Sequence, residues 1–225
     1  MSEQLILDLP VKTAFGRDNF FVSGANAQAV AMLQNWRDWP LGKLVLTGPP
    51  GAGKTHLTRI WASESGADAI AAVRLAGADI PALARTGAAI EDVPAASADG
   101  QTALFHLHNL CAEAGTPLLL TGRGPAAGWA IELPDLQSRI AAAMEVQLGP
   151  PDDTLLQALL IKHFSDRQVQ VSPRVLRQLL TRMDRSFAFA ERLVDKLDTV
   201  ALAQGAAISP RLAGQVLAEL AQETE

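Results

Sequence analysis

The stretch GPPGAGKT, residues 48–55, has the spacing of a phosphate cradle. It fits G-x-x-x-x-G-K-[ST] in full, and it lies between a short apolar run and an amphipathic one. Glycines in such a loop let backbone N–H groups turn inward around phosphate oxygens. A helix starting at Lys54 adds the partial positive charge of its N-terminus. Pro49, Pro50, Gly51, Ala52 and Gly53 form the loop, Lys54 is placed to reach β- and γ-phosphates, and the Thr55 hydroxyl is placed to hold magnesium. His56 follows directly. The expected ligands are ADP or ATP with Mg2+.

Hydrolysis in such a site also needs acidic groups for the metal and the attacking water. GAAIEDV, residues 87–93, supplies Glu91 and Asp92 at the end of an apolar run. An aspartate usually stands first; here it is Glu91, one methylene longer. Turnover in the chain's own site is therefore expected to be weak. The remaining polar candidates carry less. His106 and His108 are two apart on a helical stretch, so they point in different directions and do not share a metal. His163 reads as structural. The single cysteine, Cys111, excludes an internal disulfide, suits a reducing cytoplasm and reads as a small buried hydrophobe.

The elements that must carry these groups alternate. Apolar runs at 43–48, 69–75, 87–93, 116–122 and 144–149 predict five strands, and 27–36, 54–65, 99–115 and 134–143 predict helices between them. Such alternation implies an α/β fold with a parallel five-stranded sheet flanked by helices. Pro150-Pro151-Asp152-Asp153 marks a boundary. Beyond it, 154–168, a helix from Ser172-Pro173, 186–205 and a helix from Ser209-Pro210 predict a small all-helical domain, 151–225. A net charge of −5 over 225 residues argues against dominant, sequence-specific nucleic-acid binding. No signal peptide or membrane-spanning run is expected.

The segments in this order resemble the DnaA/Hda family of AAA+ P-loop ATPases over about residues 15–220. GRDNFFVSGANAQAVAMLQNW is similar to the start of that family's AAA+ module, which implies that Phe21 and Val22 line an adenine pocket. TPLLLTGRGPA resembles its sensor 1 strand, placing Thr121 near a γ-phosphate. LPDLQSRI, residues 133–140, resembles the motif whose arginine reaches a neighbouring subunit's nucleotide, which gives Arg139 an arginine-finger role in trans. The family's sensor 2 arginine has no direct match: Ala188 stands at that position in RSFAFAERL, flanked by Arg185 and Arg192. The resemblance implies an AAA+ domain over 15–150 and a helical lid over 151–225.

The chain is also expected to lack the DNA-binding domain that initiators carry. The first residues then gain weight. Gln4-Leu5-Ile6-Leu7-Asp8-Leu9 is similar to the peptide by which bacterial proteins bind the DNA polymerase sliding clamp. In an extended ribbon Leu5, Leu7 and Leu9 share one side, with Gln4 at its edge. Residues 1–14 are read as that segment, disordered or taken up by a neighbouring molecule when no clamp is present. The implied function is negative regulation of replication initiation, by docking on the clamp and promoting hydrolysis of DnaA-bound ATP, the regulatory inactivation of DnaA. The alternative is an autonomous replication ATPase such as a helicase loader. The sequence leaves open whether the chain forms a homo-oligomer.

Overall fold

In a computed structural model, described over residues 20–222, strands and helices follow one another in the alternation that the apolar runs predict. In chain order these are α1 (Ala27–Gln34), β1 (Lys43–Thr47), α2 (Lys54–Ser65), β2 (Asp68–Ala71), α3 (Ile80–Thr86), β3 (Ala88–Glu91), α4 (Ala98–Ala114), β4 (Leu118–Gly122), α5 (Pro134–Ala141) and β5 (Met144–Gln147). The helices α6 (Asp153–Asp166), α7 (Pro173–Arg182), α8 (Phe187–Gln204) and α9 (Pro210–Gln222) follow without a strand between them. Residues 20–49 and 53–148 form one compact unit, and residues 50–52 group with 149–222 in a second.

All strand pairings are parallel, in the order β2-β3-β4-β1-β5. Leu44, Val45 and Leu46 of β1, Ala88, Ala89 and Ile90 of β3, and Leu118, Leu119 and Leu120 of β4 are buried. Continuous apolar runs are what strands covered on both faces require. Leu104, Leu107 and Cys111 of α4 and Leu136 and Ile140 of α5 join Val45, Ile90 and Leu120 in one core. Cys111 is buried among them, as its apolar helix suggests. Elsewhere in this unit Trp39 stacks on Trp61 of α2 at 5.3 Å.

Three local readings change. The run 69–75 is a strand only as far as Ala71; Ala72–Gly77 coils into a 3-10 turn that buries Ala72 and Leu75. IPALART, for which the sequence reading placed no element, forms α3, because Pro81 lies in its first turn and Asp79 accepts the Ala82 N–H. α4 is capped by Ser97, with Asp99 inside its first turn, rather than starting at Asp99.

The second unit is helical throughout. Asp152, Ser172, Ser186 and Ser209 accept the N–H of Leu155, Val175, Phe189 and Leu212, which starts each of the four helices. Leu156, Leu160, Phe164, Leu179, Leu193, Val194, Leu197 and Val216 pack into its core. Ala188 lies exposed on α8, away from the buried Ala190, Val194 and Leu197.

Candidate functional site

The phosphate loop follows the buried end of β1. Gly51 and Gly53 take left-handed backbone angles, φ 75° and 89°, which a side chain would strain, and Gly53 caps α2. The loop thus turns sharply into a helix whose N-terminus opens on it. Lys54 Nζ donates to the carbonyls of Gly48 (2.7 Å) and Pro49 (2.8 Å), so its stem lies along the loop. Burial lowers the Lys54 pKa from its ordinary value, the nearby Arg123 lowers it further, and Asp92 opposes them.

Strand order brings the second set of groups beside the loop. β4 lies between β1 and β3, and Ile90 pairs with Leu120. The Asp92 N–H therefore meets β4, donating to Thr121 Oγ1 at 3.2 Å. Asp92 takes a left-handed conformation, φ 56°, that an aspartate tolerates better than most residues. Its side chain stays exposed and Thr121 is buried. The Glu91 carboxylate lies near Thr55, whose hydroxyl favours its charged form. Burial raises the Glu91 pKa, against the pull of Arg59 and of that hydroxyl. Its Oε1 is buried with no hydrogen-bond partner.

A buried carboxylate oxygen without a donor, next to a threonine hydroxyl, fits a hard, oxygen-seeking cation such as Mg2+. Among the described residues no three His, Cys, Asp or Glu gather into a metal cage.

The aromatic segment before α1 also meets the loop. The Phe20 ring stacks on His56 at 5.5 Å, and a Cβ on Gly53 would come within 3.1 Å of it. Asn26, buried, donates to the Phe21 carbonyl and accepts the Ser23 N–H, both at 2.9 Å, which ties the turn containing Phe21 and Val22. Phe21 and Val22 are half-buried. Sequence reasoning missed Phe20, although two adjacent phenylalanines put opposite faces within reach.

It also missed Arg123. The loop after β4 is fixed from several sides. Trp129 Nε1 donates to the carbonyls of Arg123 (3.0 Å) and Gly124 (3.2 Å), and its ring lies where a Gly122 side chain would be, 2.4 Å from a Cβ. Glu145 of β5 accepts the Ala126 N–H and the Thr47 hydroxyl. Together these hold Arg123 close enough to act on Lys54.

Arg139 is exposed on α5. Its Nη1 donates to Asn109 Oδ1 at 2.6 Å and lies 3.2 Å from His108 Nδ1, and the guanidinium sits 4.9 Å over the Phe105 ring. His106 is exposed and His108 buried, so the two diverge as their spacing requires. In the helical unit Arg185 pairs with Asp153 at 2.9 Å, both in solvent, and Arg192 is exposed on α8. Gln4, Leu5, Leu7 and Leu9 lie outside the described residues.

No protein-family model and no curated protein matches the sequence. Solved structures do. Domain III of the Thermotoga maritima replication initiation protein DnaA superposes with a TM-score of 0.74 at 18% identity, over 94% of this chain and 98% of that one. AMPPCP-bound DnaA from Aquifex aeolicus gives 0.65 at 14% identity, over 83% of this chain and 66% of that one. The Thermotoga maritima RuvB Holliday junction branch migration motor gives 0.66 at 18%, over 92% and 72%. The chain shares its fold with these DnaA and RuvB structures alike.

Proposed function

We propose that this chain is a nucleotide-binding AAA+ regulator of replication initiation that works in the manner of Hda. It docks on the sliding clamp through Gln4, Leu5, Leu7 and Leu9, and it offers Arg139 to ATP bound by the initiator DnaA. The observation that carries this reading is where Arg139 is held. Its partner His108 contacts Lys43, the first residue of β1, while the phosphate loop follows the last, Thr47. At the ~3.3 Å rise of a parallel strand these ends lie roughly 13 Å apart. Arg139 is therefore held about the length of β1 from its own loop, which suits it to a nucleotide held by another molecule. Among the described residues no carboxylate pairs with it, so its charge is not cancelled before it meets a phosphate.

In its own site the chain binds ADP or ATP on the loop backbone, with Lys54 and Arg123 facing the phosphates. Phe20, Phe21, Val22 and His56 flank the base, and Thr121 stands near the γ-phosphate. Mg2+, held by Thr55 and Glu91, would neutralise phosphate charge. Glu91 lies near Thr55, which leaves Asp92 as the acid free to orient water, and own-site turnover stays weak. Arg185 and Arg192 are the candidates for sensing the nucleotide from the lid. Hydrolysis in trans is accelerated because a guanidinium stabilises charge on the transferring phosphoryl, an effect worth roughly 10³–10⁵ in rate.

The test is single-turnover hydrolysis of DnaA-bound ATP with clamp loaded on DNA. The intact chain accelerates it, Arg139→Ala abolishes the acceleration while still binding clamp, and Gln4→Ala/Leu5→Ala loses clamp binding. Retained acceleration by Arg139→Ala rules out the finger. DNA- or helicase-stimulated turnover by the chain alone, with no clamp binding, points instead to an autonomous ATPase.

A further inference from the structure

We infer that His108 is the positioning residue for Arg139, and that the buried Lys43 behind it selects the imidazole tautomer able to do so. This rests on the finger role proposed above.

The geometry allows few proton arrangements. An arginine keeps its protons in proteins, so the 3.2 Å contact with Arg139 Nη1 is a hydrogen bond only if His108 Nδ1 accepts. A neutral imidazole with Nδ1 accepting carries its proton on Nε2. That nitrogen lies 2.5 Å from Lys43 Nζ. An ammonium has no lone pair, so this arrangement needs Lys43 in its neutral form. If Lys43 is charged, Nε2 must accept instead, the ring proton moves to Nδ1, and it then faces an arginine N–H. One added proton thus turns an attractive contact into a repulsive one, and Arg139 keeps only Asn109 and the Phe105 face.

The surroundings favour the first arrangement. Lys43 is 6% exposed and His108 5%. The charged or titratable groups acting on the pair are Arg139 from α5 and Cys111 from α4, and no carboxylate is among them. Burial, first, and then Arg139 lower the Lys43 pKa; burial, Lys43 and Arg139 push that of His108 down to about 4, against a hydrogen bond with Asn109. With Lys43 neutral, the pair presents a fixed acceptor to a side chain at the surface. Orientation of this kind is what a finger needs, since a misplacement of about 1 Å can lower a rate by roughly 10²-fold.

Two measurements test this. In ¹⁵N-histidine NMR of the free chain, His108 is expected as the Nε2–H tautomer with Nδ1 accepting, and untitrated between pH 5 and 8 on the ordinary histidine scale. An Nδ1–H tautomer, or titration in that range, overturns the inference. In the DnaA–ATP assay, His108→Phe keeps the ring's bulk without an acceptor and is expected to lower the maximal rate by roughly 10–100-fold. The half-saturating concentration of the chain should not move, and His108→Gln, which restores an accepting oxygen, should recover most of the rate. Full activity of His108→Phe, with Arg139→Ala inactive, overturns the positioning role alone. Activity of Arg139→Ala overturns the finger and this role together. If His108→Phe fails to bind ADP, the wild-type NMR result and the Gln variant still decide the matter.

Discussion

At the scale of single residues, the candidate site depends on charges gathered around the phosphate loop. Lys54 lies on the loop carbonyls, near Arg123, so on the proposed reading a phosphate at the loop meets two cations at once. A hydrogen bond to a charged group is worth about 1.5–3 kcal/mol, so Lys54→Ala should weaken ADP binding roughly 10–150-fold in a fluorescent-nucleotide titration. Arg123→Ala should weaken it less, because Arg123 acts through space. His108 gives a second outcome. The unfolded chain protonates it near 6.5 and the folded chain only near 4, so acid favours unfolding. Stability present above pH 6.5 is lost as pH falls towards 4. Tm measured against pH should show this slope, and His108→Gln should flatten it. Glu91 contributes with the opposite sign, since its raised pKa makes its charged form the less stable one. Glu91→Gln should therefore raise the nucleotide-free Tm at neutral pH and lose that advantage below the ordinary carboxylate range.

At the scale of elements, caps and packed faces decide where side chains go. The Ser172 hydroxyl accepts the Val175 N–H at the start of α7, and Ser172→Ala should lower stability by about 1 kcal/mol in urea unfolding. Leu197 sits fully buried in the α8 core, and Leu197→Ala should lower it by about 2–5 kcal/mol. The capped helices were legible because a serine or aspartate beside a proline or an apolar stripe has one low-energy reading. α3 was not, because Pro81 reads as a breaker until Asp79 is seen to cap the turn around it. β2 was over-read for a related reason. An apolar run such as AIAAVRL suits a strand or a coil equally, and only packing of Ala72 and Leu75 chose the turn.

At the scale of the molecule, the groups proposed to bind phosphate come from three strands that are distant in sequence. Parallel order β3-β4-β1 puts the acid pair, Thr121 and the loop together at the carboxyl ends of neighbouring strands, where open α/β sheets hold ligands. Ligand binding to the native state alone should then stabilise the whole fold, by about 2.7 kcal/mol at a ligand concentration of 100 times Kd. A thermal scan with ADP should show the rise in Tm, and Gln4→Ala/Leu5→Ala should leave it unchanged while clamp pull-down is lost. That separation expresses the proposed division of labour between the nucleotide fold and the N-terminal ribbon.

The sequence by itself determined the phosphate loop, the acid pair and the alternation of strands and helices, because each depends on neighbours within a few residues. The tertiary structure alone decided that Glu91 lies near Thr55, that Phe20 meets His56, that Arg123 acts on Lys54, and that Lys43, His108 and Arg139 form one chain of contacts. Those contacts join residues on different elements, and the protonation of Lys43 and His108 depends on a burial that only the packed fold creates.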